Sequence, residues 1–506
     1  MAIDSKVILQ GFLIFLMLVL GIIMAFSVTT NAEGGLAALV PMITILLTLL
    51  SLVNPRAGLY GLAALVIWVD EFKRLAVYSG GAYSTTVLQT LAMPFIVLAA
   101  LNVGFLLNLM FGKVKIDRIG VVFYGLATVI GLAIFFTMQA GVAERGQRAA
   151  NIAGYLTLIP ITYTYLKNFD DWHRFFSFQV IVALPAAAWA IKQYYFGFDQ
   201  IEWDYARSGL SKVHYGQMFN FKDPRVFGFF GSASALGCAS IYCAYSWWHG
   251  LRFRAQRLLW FFTAVILTWA LVASTQRTAL VLPLLVMVFA YAFRTKLLTF
   301  AIYTLAIGTF VMGVIFSDYL LDQGLDDVNQ SIASDSGWGS QVLRVSTFSD
   351  RLRGWQRLKR AESWSIIGTK KELFSDAYSG VDINSVDYNH DIINKILINY
   401  GVVGMLVVLI PAIVALRILH TAVYQAKDRP ERNAAAFVLA LSLPMIFLSM
   451  IGGDNFNTNP INLQIWTTIA GVFVCRQANR LATRSRTATG ALPAAGAAHT
   501  PTVFST

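Results

Sequence analysis

Apolar residues in this chain fall into long runs separated by mostly short polar turns. The runs lie near 7–28, 36–53, 57–69, 87–111, 119–138, 149–166, 175–195, 227–249, 258–274, 278–293, 297–316, 392–416, 433–451 and 461–475. A helical membrane span takes about 20 apolar residues. The pattern therefore predicts an all-α polytopic membrane protein with about fourteen transmembrane helices and twelve as a lower bound; the runs at 57–69 and 278–293 are short. Two polar interruptions are long, one at 196–226 and one at 317–391. Long loops are usually functional or disordered; the larger is not low-complexity and holds Trp338, Trp355 and Trp364, which predicts a folded segment. Within it Ser349 can cap a helix, and Leu352, Trp355 and Leu358 recur at helical spacing. The expected organisation is a transmembrane bundle over 1–316, a partly helical loop with a lid-like helix over 317–391, further transmembrane helices over 392–476, and a disordered tail over 477–506.

Composition sharpens this picture. Hydrophobic residues make up 57% of the chain and charged residues 13%, against roughly 25% charged in soluble domains. An ordinary soluble enzyme is excluded. The formal net charge of +12 is of a size that also suits a nucleic-acid binder, but the loops account for much of it. With the N-terminus inside and the spans alternating, the inner loops hold twenty Lys and Arg. The short outer loops hold nine: Lys73, Arg74, Arg145, Arg148, Arg207, Lys212, Lys222, Arg225 and Arg277. That bias is the one bacterial inner-membrane proteins show, and it puts both termini in the cytoplasm. Nucleic acid is not an expected partner. The run Val7–Val28 reads as a signal anchor. Cys238, Cys243 and Cys475 stand in apolar runs without disulfide or metal spacing and read as buried hydrophobes.

Groups able to do chemistry gather on the predicted outer side. Asp223-Pro-Arg225-Val-Phe-Gly228 enters the eighth run, where Arg225 suits either a bound anion or a lipid phosphate at the interface. Arg277 sits in a very short turn between two spans, and charge at that depth commonly faces the protein interior. Arg351, Arg353, Arg357 and Arg360 lie along the predicted loop helix, as a solvated basic face or as a phosphate site. His390 opens the twelfth run with Asp387 and Asp391 beside it to orient the ring, and a neutral imidazole is a suitable base for a hydroxyl. His214 also faces outward, whereas His173, His249 and His420 fall on the inner side. There is no Walker A loop, no GxGxxG after a strand, no HExxH and no DxD pair in an early outer loop, so no metal site is expected.

Together these segments resemble the O-antigen ligase and polymerase superfamily of envelope glycosyltransferases. The resemblance is carried by Arg225-Val-Phe-Gly-Phe-Phe230, by Ser274-Thr-Gln-Arg277-Thr-Ala279, by Arg351-x-x-x-Trp355 in a long loop, and by His390 eleven residues before Gly401. It covers about Phe219 to Leu409; the N-terminal half matches only as a set of spans. What the resemblance implies is a GT-C-like membrane enzyme with no cofactor, acting in exopolysaccharide or lipopolysaccharide biosynthesis. The donor would be an undecaprenyl-pyrophosphate-linked glycan, with a chain-length regulator and a flippase as candidate partners. By the same resemblance Arg225 and Arg277, with Arg351 or Arg353, would stabilise the leaving pyrophosphate. His390 would be the catalytic base of an inverting transfer, and Asp387, Asp391 and Trp355 would support the site.

Where the family often carries His-Asn, this chain has His390-Asp391, and Gly231-Ser-Ala-Ser234 replaces a Pro-Asn. These departures and the span count favour a polysaccharide polymerase over an O-antigen ligase acting on lipid A core. A lipid-linked oligosaccharide flippase is the alternative of a different class. It calls for charged residues lining a central cavity and usually for repeated halves, and neither is evident. The orientation is directly testable. A cysteine placed near Gln330 should react with an impermeant thiol reagent in cells with a permeabilised outer membrane, and one near Lys427 should not. The reverse pattern of labelling sinks the topology.

Overall fold

Runs of Leu, Ile, Val and Ala leave backbone amides and carbonyls no polar partner but one another, and in an apolar surround they close into helices. The computed structural model describes residues 32–82, 84–137, 141–208, 226–230, 236–252, 256–274, 277–322, 355–356, 358–359, 364–366, 392–426, 429–452 and 459–488. The expected first span at 7–28 lies outside them. The helices before the first gap of more than a few residues are α1 (Ala32–Val53), α2 (Pro55–Gly80), α3 (Thr85–Met110), α4 (Arg118–Thr137), α5 (Val142–Ala149), α6 (Leu158–Tyr165), α7 (Phe169–Phe196) and α8 (Gln200–Arg207). Then follow α9 (Cys238–Arg252), α10 (Arg257–Ala273), α11 (Arg277–Ala292), α12 (Lys296–Ile315), α13 (Ser317–Asp322), α14 (Ile392–Tyr424), α15 (Arg429–Gly452) and α16 (Ile461–Ala488). No strand occurs among the described residues.

Among the described residues six helices are long and apolar enough to cross a membrane: Leu36–Val53, Thr85–Met110, Arg118–Phe136, Phe169–Phe196, Lys296–Ile315 and Gly401–Tyr424. Three shorter apolar helices, Arg257–Ala273, Ala279–Ala292 and Ile461–Cys475, accompany them. The architecture is that of an all-α membrane protein. Cys238, Cys243 and Cys475 are free and buried, as their apolar surroundings require.

Contacts fix how the helices run. The pair α2 and α7 is parallel. Arg56 meets Asp171 at 2.8 Å at one end, Tyr60 lies between Phe175 and Phe178, and the Trp68 indole donates to the Val182 carbonyl at 3.1 Å farther along. Helix α9 runs against α7, with Tyr242 on Gln179 and His249 on His173. Helix α10 reverses again, with Trp260 on His249 and Cys243 beside Thr268. Helix α14 returns along α12, where Tyr424 donates to Thr299 at 2.7 Å and His420 meets Tyr303. Helix α16 closes the core, its Thr467 carbonyl taking the Trp172 indole proton and its Gln464 amide donating to the Cys238 carbonyl.

Among the described residues the structure departs from the sequence pattern at several helix ends and turns. Helix α2 runs to Gly80, well past the expected end at 69, because its charges pair at i, i+3 within the helix. The run at 149–166 is divided by a π turn over Ala150–Gly154. Residues 226–230 form a turn, and the helix expected from 227 starts at Cys238. Helix α16 continues to Ala488, so residues 477–488 of the expected disordered tail are helical. That stretch is rich in Ala and Arg, which favour helix.

Glycines mark the closest approaches. A side chain on Gly104 would meet the Ser51 carbonyl and the Leu52 backbone, whereas Gly308 in α12 faces open space. Gly104→Leu should therefore destabilise the protein by about 1–3 kcal/mol through overpacking, and Gly308→Leu should leave it unchanged. Thermal unfolding of the two variants in detergent checks this; equal midpoints would refute the packing of α1 on α3.

Candidate functional site

At the end where α2 and α7 finish, a set of charged and amide side chains is buried together. Arg74 is 1% exposed. Its guanidinium donates to the Phe230 carbonyl at 2.6 Å, lies 3.1 Å from Glu71 and 4.0 Å from Glu202, and rests over the Phe227 ring at 4.6 Å. Glu202 belongs to α8, whose first turn is closed by a capping box with Asp199. The Glu202 carboxylate also accepts from the Trp189 indole at 2.7 Å and from the Gln193 amide. Gln193, in the last turn of α7, turns its oxygen to the Phe227 and Gly228 amides at 3.0 and 2.8 Å. Its nitrogen reaches the Gly228 carbonyl at 3.3 Å.

Gly228 adopts φ +61° with its Cα against the Ala186 carbonyl, so the position accepts no side chain. Lys73 pairs with Asp70 at 2.6 Å and Lys192 with Asp199 at 2.6 Å. Burial raises the pKa of the Tyr205 phenol beside Lys73, which keeps it neutral.

A second assembly joins α12 to α14. Trp355 is buried against Gly313, where no side chain would fit, and edge-on to Phe310. Lys359 donates to Asp318 at 2.7 Å and to the Ile315 carbonyl at 2.9 Å, while the Gln356 amide donates to Asp318 at 2.6 Å. The Trp364 indole donates to the Leu358 carbonyl at 2.7 Å. Helix α14 is broken at Gly401, whose φ of 67° and ψ of −171° suit glycine alone. The break frees the Val402 and Val403 amides, which donate to the Ser365 and Ile366 carbonyls at 2.9 and 3.4 Å. The 355–366 segment is thereby tied to both helices.

Of the residues singled out in the sequence, Arg225, Arg351, Arg353, Asp387, His390 and Asp391 lie outside the described residues. Arg277 opens α11, at the end opposite the tight turn into α12. Trp355 and Leu358 are buried, as their helical spacing required. Sequence reasoning missed Glu71, Arg74, Gln193 and Glu202 as site residues. One signal was present: Asp70-Glu71-Phe72-Lys73-Arg74 puts four charges into five residues at the end of an apolar run, with opposite signs three apart. Gln193 carried no signal, since one amide at a helix end is unremarkable until its partners are known.

At the far end of α7 lies a different cluster. The His173 and His249 rings are nearly parallel and stacked, with their Nε2 atoms 2.7 Å apart. The Tyr245 hydroxyl meets His173 Nδ1 and lies 2.9 Å from Ser177. Comparison with known proteins returns nothing: no family profile, no curated protein and no solved structure matches the chain.

The Gly401 break has a measurable consequence. Gly401→Ala would place a side chain in a conformation that costs about 1–3 kcal/mol and withdraw the amides that hold 365–366. Trypsin should then cleave at Lys359 faster than in the wild-type protein. An unchanged cleavage rate would show that the break does not hold the segment.

Proposed function

We propose that this chain is an inner-membrane glycosyltransferase of bacterial envelope synthesis. It polymerises undecaprenyl-pyrophosphate-linked oligosaccharide repeat units into exopolysaccharide, capsule or O-antigen on the periplasmic side, with about fourteen membrane crossings and both termini in the cytoplasm. The observation that carries this reading is the coupling of three described segments to the sequence groups chosen for their chemistry. The 226–230 turn following Arg225 is pinned at the ends of α2 and α7. The 355–366 segment following Arg351 and Arg353 is tied to α12 and to the Gly401 break that follows His390. Arg277 opens a helix rather than lying within one. These are surroundings in which a folded loop and membrane helices can form one site.

In this reading the acceptor hydroxyl oxygen forms a bond to the anomeric carbon as the bond from that carbon to the pyrophosphate oxygen breaks. His390 takes the hydroxyl proton, and the leaving diphosphate departs as an anion. Arg225 and Arg277, with Arg351 or Arg353, offer cations to the charge that develops there. Guanidinium groups suit this task because their paired N–H groups match phosphate oxygens. Fixed charges in a dry site need little reorganisation. Attack from the opposite side inverts the anomeric centre.

The test is direct. The purified protein in liposomes, given undecaprenyl-pyrophosphate-linked repeat units, should yield longer lipid-linked glycans by mass spectrometry. His390→Ala should lower the rate about 10²–10⁴-fold, as loss of a general base does, with normal expression. EDTA should have no effect. Transfer only to lipid A core would replace polymerase by ligase, translocation without elongation would make the chain a flippase, and a fully active His390→Ala would refute the mechanism.

A further inference from the structure

The cluster at the ends of α2 and α7, buried around Arg74 and Glu202 and open to solvent at Asp199, holds three cations, Lys73, Arg74 and Lys192, and four carboxylates, Asp70, Glu71, Asp199 and Glu202. Its cations are already matched within the cluster, so it is not itself a site for a phosphate. What it grips is backbone. Gln193 accepts from two consecutive amides, Phe227 and Gly228, and donates to the Gly228 carbonyl. Arg74 donates to the Phe230 carbonyl three residues on. Glu202 accepts from the Gln193 nitrogen, and this fixes which way the Gln193 amide faces: oxygen to the turn amides, nitrogen to Glu202. A reversed amide would set its N–H groups against two backbone donors.

Packing reinforces the grip. Val226, Phe227 and Phe230 are fully or almost fully buried, and Gly228 sits against the Ala186 carbonyl, where no side chain would fit. Four residues of one turn are thus held by side-chain hydrogen bonds and close packing rather than by a helix. The residue covalently attached to the start of this turn is Arg225.

We propose that Gln193, oriented by Glu202 and assisted by Arg74, is a positioning residue that clasps the 226–230 turn and so fixes where the chain carries Arg225. Its role in transfer rests on the reading of Arg225 given above; the clasp itself does not. Gln193 never touches substrate. It acts by removing freedom from the backbone that carries a cation, and a cation must be held in place before the reaction if it is to stabilise charge as that charge forms.

The experiment uses the full-length purified protein with Gln193→Ala and, in case that variant folds poorly, Gln193→Met, which keeps the bulk and loses the amide. Hydrogen exchange read by mass spectrometry should show the Phe227 and Gly228 amides exchanging about tenfold faster in either variant, with the middle of α7 unchanged. In the elongation assay kcat should fall while KM stays close to wild type. Adding Gln193→Met to Arg225→Ala should bring no further loss, since the one acts through the other. Unchanged exchange overturns the clasp. Losses that multiply in the double variant overturn action through Arg225. If the wild-type protein transfers no glycan at all, the role in transfer falls with the reading it rests on, while faster exchange still upholds the clasp.

Discussion

A backbone amide or carbonyl released inside an apolar bundle has no water to turn to, and leaving it unpaired costs several kcal/mol. Two interruptions next to the sequence groups chosen for their chemistry show how this chain meets that constraint. At 226–230 the helix is replaced by a turn, and the released groups are taken up by the side chains of Gln193 and Arg74. At Gly401 the helix breaks, and two freed amides are taken up by carbonyls of a distant loop segment. The same requirement that makes the rest of the chain helical forces each interruption to recruit partners from elsewhere, and those partners tie distant parts of the sequence together.

Charge obeys a parallel rule. A buried guanidinium is tolerated when carboxylates and carbonyls surround it, and Arg74 has Glu71, Glu202 and the Phe230 carbonyl. The quartet Asp70, Glu71, Lys73 and Arg74 thereby stays helical where an unpaired charge would have ended α2. The carboxylate of Glu202 comes from α8, a short helix in what the sequence presents as a loop. That helix exists because Asp199 and Glu202 close a capping box at its start.

Most of the helices were legible, because apolar runs of this length have one solution in an apolar surround. Their ends were less so. The reach of α2 depended on i, i+3 pairs counted at first as loop charge, and the reach of α16 on residues whose helix preference outlasted their hydrophobicity. The motif glycines Gly228 and Gly401 were visible as sequence signals, and each takes a backbone conformation suited to glycine. The clasp was illegible for a different reason. Gln193 has no signature of its own, and Glu202 shows in the sequence only as the end of a capping box; the turn amides that Gln193 holds lie more than thirty residues on, and Arg74 reaches Glu202 from α2.

The histidine pair at the opposite end of α7 has a consequence of its own. Two neutral imidazoles whose Nε2 atoms are 2.7 Å apart share one proton, so one ring carries Nε2–H and the other does not. If His173 carries it, His173 Nδ1 is bare and Tyr245 must donate to it; if His249 carries it, His173 Nδ1 is protonated and Tyr245 must accept. The hydroxyl and both rings therefore form a wire with two directions of polarity. Neither histidine can change its tautomer without the other, and the hydroxyl rotates with them. Two helices that otherwise meet through aromatic packing share, at this point, a single binary variable.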